Sequence, residues 1–173
     1  MVANEKTPQR CRIGVYAGEA LARYGFGAGH PFAGDRFAAF MEAFRRSRLS
    51  ERTRVMAPKE ASEEALLRFH RPRYLNWVRE RTAAGDGFLD GGDTPAVPGI
   101  YEAALYVVGS VLDALERILS GDLVRAFVPI AGLHHARPDG AAGFCVLNDC
   151  GIAIETLRRV HGLQRVAYVD IDA

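Results

Sequence analysis

The chain has little excess charge of either sign: Lys and Arg number 22 against 21 for Asp and Glu, a net charge of +1. Such a balance creates no broad field to draw the chain onto nucleic acid or an anionic membrane, so neither is expected as a partner. Long apolar runs are missing. No stretch reaches the length that spans a bilayer, and Met1 to Gln9 is polar, without the apolar centre of a signal peptide. Cysteine is scarce as well: Cys11, Cys145 and Cys150 lack Cys-x-x-Cys spacing and leave an odd number. Reduced thiols in a cytoplasmic protein are therefore expected, not a disulfide framework. Internal repeats and low-complexity segments are absent. Arginine far outnumbers lysine, which carries no functional message.

What is present is enough for a sizeable core: 173 residues with 49% hydrophobic content. Cys11 to Ala17 reads as a first buried strand. Tyr24 to Gly34 reads as a loop punctuated by Gly25, Gly27, Gly29 and Pro31. Asp35 to Arg46 places Phe37, Phe40, Met41 and Phe44 at helical spacing, which predicts a helix with that face inward. Arg54 to Ala57 predicts a short strand, and Ala61 to Phe69 a helix with acidic residues near its positive end. His70 is expected to be structural, ahead of a helix that opens on Pro72. Thr82 to Pro98 is the longest irregular segment. Gly99 to Ser120 predicts a long helix with Leu105, Val108, Leu112, Leu115 and Leu119 along its core side. Arg125 to Ala131 is a mostly apolar run, and Asn148 or Asp149 is expected to cap a helix from Cys150 to Val160. Alternating strands and helices predict an α/β fold with a mainly parallel sheet flanked by helices.

The chemistry collects in the last third. Leu133-His134-His135-Ala136 is followed by Gly143-Phe144-Cys145, by Asn148-Asp149, and by a run ending in Asp170-Ile171-Asp172. A tandem His pair alone fits an exposed turn or a satisfied core histidine as readily as a catalytic pair. In a strand over Arg165 to Asp172 the two aspartates share a face, with Tyr168 beside them. Two neighbouring carboxylates repel unless a cation or donor compensates them, so the pair reads as a place for a metal or a proton relay. It also fits the ordinary polar end of a parallel strand.

Gly132-Leu133-His134-His135-Ala136, Gly143 to Asp149 and Val166 to Asp172 together resemble the histone deacetylase superfamily, which includes lysine deacetylases, acetylpolyamine amidohydrolases and acetoin-utilisation proteins. Tyr24-Gly25-Phe26-Gly27, His30-Pro31-Phe32 and Arg36 are similar to its N-terminal signature, His70 to Tyr74 to its His-x-x-x-Tyr helix start, and Gly91 to Pro95 to its substrate-clamping loop. The resemblance implies an arginase/deacetylase-like fold cut before its second half, with residues 1–173 forming the N-terminal part of a single catalytic domain.

It further implies zinc-dependent hydrolysis of an acetyl amide, on a lysine side chain or an acetylated small molecule. By position Asp172 matches a zinc ligand, and His134 and His135 match the electrostatic and acid/base pair. Asp170 matches the carboxylate that orients the first histidine, and with its neighbours a monovalent-cation site that holds potassium. Asp93 matches the aspartate that receives a substrate's backbone, Gly143 and Phe144 an aromatic wall, and Arg36 an internal channel. For Asp93 an Asx-type turn, and for Phe144 plain core, are the readings without the resemblance. Cys145 is expected to pack beside the site and not to act as a nucleophile.

The family's zinc histidine, its second zinc aspartate, the carboxylate partner of His135 and the oxyanion-stabilising tyrosine all fall beyond Ala173. A single carboxylate does not hold zinc against water, so the chain alone is expected to be inactive. Two alternatives stand beside this reading: an arginase-like binuclear metal hydrolase, and a noncatalytic half-domain that completes a site in trans with a second chain.

Overall fold

The computed structural model describes residues 11–172. Three short parallel strands, β1 (Ile13–Tyr16), β2 (Arg54–Met56) and β3 (Arg125–Phe127), lie in the order β2-β1-β3. Val15 pairs in register with Val55 on one side and Phe127 on the other. β1 is central because Gly14, Val15 and Tyr16 tolerate cover on both faces, and all three are buried. Helices provide that cover: α1 (Glu19–Ala22), α2 (Asp35–Arg46), α3 (Glu63–Leu66), α4 (Pro72–Ala84), α5 (Ile100–Leu119) and α6 (Asp149–Arg159). The expected α/β fold with a parallel sheet is what the chain forms.

The helix boundaries follow local chemistry. α4 opens with Pro72 in its first turn, where a missing N–H costs nothing, and closes on Gly85 at φ +70. The irregular segment predicted from Thr82 therefore begins only after Ala84. α3 is a single turn capped by Ser62, whose side chain accepts from Ala65 N–H, so the helix predicted over 61–69 is much shortened. In α2 Phe44 is buried while Phe37, Phe40 and Met41 are half-buried, because Phe40 lies over the exposed Phe127 ring at 5.3 Å.

The long helix α5 is the core of the molecule, but its inward face is rotated from the expected leucine stripe. Ile100, Tyr101, Ala103, Ala104, Val107, Val108 and Ala114 are buried, while Leu119 is exposed. The reason is close approach. A Cβ on Gly109 would lie 2.3 Å from the Lys59 carbonyl, so the 59–61 loop rests on the bare backbone of the helix. Ala61 N–H donates to Leu105 C=O at 3.1 Å, and Lys59 N–H to Ser110 Oγ at 3.2 Å. Small residues allow that seam; leucines do not.

The run from Arg165 to Asp172, expected as a strand, carries no strand ladder among the described residues. A strand exists only where backbone groups find partners, and among the described residues none pairs with this one. Its apolar side chains face outward, with Val169 81% and Ile171 93% exposed.

Candidate active site

The sheet order reverses direction at β1: the chain leaves β1 for β2 on one side and reaches β3 on the other. In open parallel sheets the crevice beyond the C-terminal ends of two such strands is where ligands bind. A cleft of about 800 Å³ opens there, between Phe32 and Arg36 from the segment after β1 and Ile130 to His135 from the segment after β3. Phe144 and residues 168–172 complete its walls.

The loop bearing His134 and His135 has no helix or strand of its own and is held by buried polar groups. Asp149 opens α6, is almost fully buried, and accepts from Gly132 N–H at 3.0 Å and Leu133 N–H at 2.6 Å. Burial pushes its carboxyl up, and those two N–H groups partly offset this. Asn148 caps α6 through Oδ1 to Gly151 N–H at 2.7 Å, and its amide donates to the carbonyls of His134 and Ala136 at 2.9 and 2.8 Å. Asn148 N–H in turn donates to His70 Nε2 at 2.9 Å. Gly143 takes a positive φ of +52, and a Cβ there would stand 2.8 Å from the His135 ring. The glycine therefore makes room for the imidazole.

Two carboxylates reach the paired histidines, one expected for His134 and one on His135 that was not. His134 Nδ1 bonds the Asp170 carboxylate, and Tyr168 OH donates to the same Oδ2 at 2.7 Å. Asp172 N–H donates to Asp170 Oδ1 at 3.1 Å. Those three donors, Tyr168 first, hold the Asp170 carboxyl down to about 2. The Asp170 bond raises the His134 imidazole above its ordinary value. Because Asp170 occupies Nδ1, Nε2 of His134 is turned to Asp172 at 3.3 Å, and His135 Nε2 meets the same carboxylate at 3.3 Å. The two rings cross at 4.1 Å. One donor atom from each of His134, His135 and Asp172 lies within 4.8 Å of the others, the single such group among the described residues.

Of the remaining predicted residues, Phe144 and Arg36 lie on the cleft wall, while Asp93 is not part of its lining. Phe144 stands on the cleft wall in the left-handed region at φ +68, rare for an aromatic residue and costly by about 1–3 kcal/mol. Its N–H donates to Thr94 Oγ1 at 3.0 Å and its carbonyl accepts from Tyr24 OH at 2.8 Å. Asp93 is exposed in the 85–99 loop, but the Asx-type turn there belongs to its neighbour Asp90, whose Oδ1 accepts from the N–H groups of Gly92, Asp93 and Thr94. Arg36 is exposed on the cleft wall with its guanidinium 4.3 Å over the Phe32 ring. Cys145 is buried, and that burial pushes its thiol up to about 11, as befits a packing residue.

Asp149, Thr94, Tyr24 and His70 hold the site through main-chain groups, and no periodicity announces such bonds. Asn148-Asp149 was visible as a helix start and His70 as a structural residue, but not the partners they choose.

The residues that build the cleft are also those along which similarity to known proteins runs. The family description "Histone deacetylase domain" matches residues 30–173. The chain is 38% identical over 127 residues to a histone deacetylase-like amidohydrolase of Pseudomonas aeruginosa, covering 73% of this chain and 33% of that protein. It is 37% identical over 131 residues to histone deacetylase 8 of Xenopus tropicalis, covering 72% and 35%. With the acetoin utilization protein AcuC of Bacillus subtilis it shares 32% over 157 residues, 87% of this chain and 40% of that one. It thus spans between 33% and 40% of these relatives' length. The paired histidines, the aspartates that meet them and the aromatic wall all fall within the matched residues, and the chain belongs to the histone deacetylase family.

Proposed function

We propose that this chain carries the first part of the active site of a zinc-dependent amidohydrolase that removes an acetyl group from an amine, on a lysine side chain or an acetylated small molecule. The observation that supports it is the set of three contacts joining His134 to Asp170 and both histidines to Asp172 in a cleft with an aromatic wall. Imidazole nitrogen and carboxylate oxygen are donor types that zinc takes, but of the three that converge the two histidines are kept for proton transfer and Asp172 alone remains to ligate the ion. Asp172 would hold it, and the bound ion would polarise the acetyl carbonyl and acidify a water. Both oxygens of Asp170 already accept from the protein's own donors, Tyr168, His134 and the Asp172 N–H, which leaves this carboxylate poorly disposed toward potassium.

The chain's own residues do the rest. Asp170 keeps a proton on Nδ1 of His134, so Nε2, which faces Asp172, is the nitrogen that takes one from the attacking water. As the water oxygen bonds to the carbonyl carbon and the C–N bond breaks, the imidazole pair returns a proton to the departing nitrogen, leaving acetate and the free amine. Phe144 would shield the acyl chain, Asp93 would receive a substrate's N–H groups from the 85–99 loop, and Arg36 offers a cation on the cleft wall.

Zinc content and acetate release from an acetyl-lysine peptide test this. The chain by itself is expected to bind zinc weakly and release no acetate, because one carboxylate and two histidines committed to proton transfer leave the ion under-coordinated. Turnover by the chain with added zinc and no partner would overturn its inactivity. A second reading, a half-domain acting in trans, is favoured by the outward Val169 and Ile171 beside the two aspartates. Stoichiometric zinc that appears only with a second chain would bring it to the front.

A further inference from the structure

His30 is absorbed by none of this, yet three distant segments meet on its ring. Phe32 N–H donates to Nδ1 at 3.0 Å, and Nε2 faces the Asp93 carbonyl at 2.9 Å. A carbonyl only accepts, so the proton of the neutral ring is on Nε2 and the lone pair on Nδ1. The ring centroid lies 4.7 Å from that of Phe26 and 4.6 Å from that of Phe144, the latter edge-on at 80°. Phe144 is the residue with the left-handed backbone, and its N–H is held by Thr94, the neighbour of Asp93.

We propose that His30 is a positioning residue for the mouth of the cleft: its Nε2–H fixes the Asp93 main chain to the segment after β1 while its ring braces Phe144. The inference rests on the acyl-amine reading above. His30 touches neither the reacting atoms nor the metal donors. It sets the separation between the aromatic wall and the Asp93 loop, and through them the width offered to an extended chain bearing amide groups. Thr94 fixes the wall from its backbone; His30 fixes it from its ring. Only one tautomer serves, because the opposite one presents two donors to each other at Phe32 and two lone pairs at Asp93.

Two measurements on the full chain test this. Long-range proton–nitrogen NMR at neutral pH is expected to show His30 with the proton on Nε2; a ring protonated on Nδ1 would overturn the proposal. An acetyl-lysine peptide is then titrated into the chain while the amides of residues 93–94 and 143–146 are followed. His30→Asn keeps an acceptor for Phe32 but loses the bond to Asp93, and is expected to weaken binding about tenfold, the worth of one such hydrogen bond. His30→Gln restores a donor near the Nε2 position and is expected to recover most of that loss. Equal binding by all three chains would overturn the positioning role and leave the acyl-amine reading intact. A peptide that perturbs none of those amides in the unsubstituted chain would overturn both. Unaltered thermal unfolding of His30→Asn supports the inference, since it separates the role from general folding.

Discussion

At the scale of single residues, the site depends on backbone conformations that side chains resist. Gly143 combines a positive φ with contact against the His135 ring. Gly143→Ala is therefore expected to lower stability by about 1–2 kcal/mol and to shift the ring resonances of His135, measured by denaturant unfolding and NMR. His70 is governed by burial, which lowers its imidazole to about 4, the Pro138 and Arg137 carbonyls opposing. The unfolded chain takes up a proton near pH 6.5 and the folded chain near pH 4, so stability is full above the first value and falls as pH drops toward the second. A loss of about 3 kcal/mol by pH 4 is expected, read from urea midpoints, with the slope abolished in His70→Gln. Its structural role was legible from the helix start beside it. The partner it chose, the main-chain N–H of Asn148, was not, because nothing in a sequence marks a bond between residues so far apart.

Among the elements, α6 does more than pack. Its cap residue Asn148 binds Gly151 N–H and also two carbonyls of the histidine loop. Asn148→Ala is expected to cost about 2–3 kcal/mol, more than an ordinary cap, and a double-mutant comparison with Ser62→Ala, a cap alone, would show the excess. In α5, Gly109→Ala would drive a methyl group into the Lys59 and Ala61 backbone. A cost of about 1–3 kcal/mol is expected from overpacking, with thermal unfolding as the measure. α2 and α5 could be read from apolar spacing, and α4 and α6 from Pro72 and the Asn148-Asp149 cap, whereas the single-turn α1 was not foreseen. The rotated core face of α5 could not be read, since spacing counts leucines whereas burial was decided by where a loop comes closest.

Over the whole molecule, the topology explains why the chemistry sits where it does. Strand order β2-β1-β3 puts the segments after β1 and β3 side by side, and the cleft is their meeting. At its wall the chain exposes Tyr168, Val169 and Ile171. Apolar surface of this kind associates, so the chain is expected to sediment as a concentration-dependent mixture, and Val169→Lys with Ile171→Lys to shift it toward monomer. Equal sedimentation of both would show that this face is inert. The sequence read these residues as a buried strand because their alternation is that of one; burial also requires a neighbour, which a pattern does not contain.

The two halves of the site are held very differently. The histidine loop is tied by Asp149 and Asn148 to the inside of the molecule, whereas the aspartates ride on an extended segment joined to it, among the described residues, through side chains. In hydrogen–deuterium exchange the amides of Gly132 and Leu133 would retain their protons long after those of residues 166–171 had lost theirs. Each arrival of Asp170 and Asp172 at the imidazoles then carries an ordering entropy that the histidines have already met, and whatever straightens that segment sharpens the site without touching it.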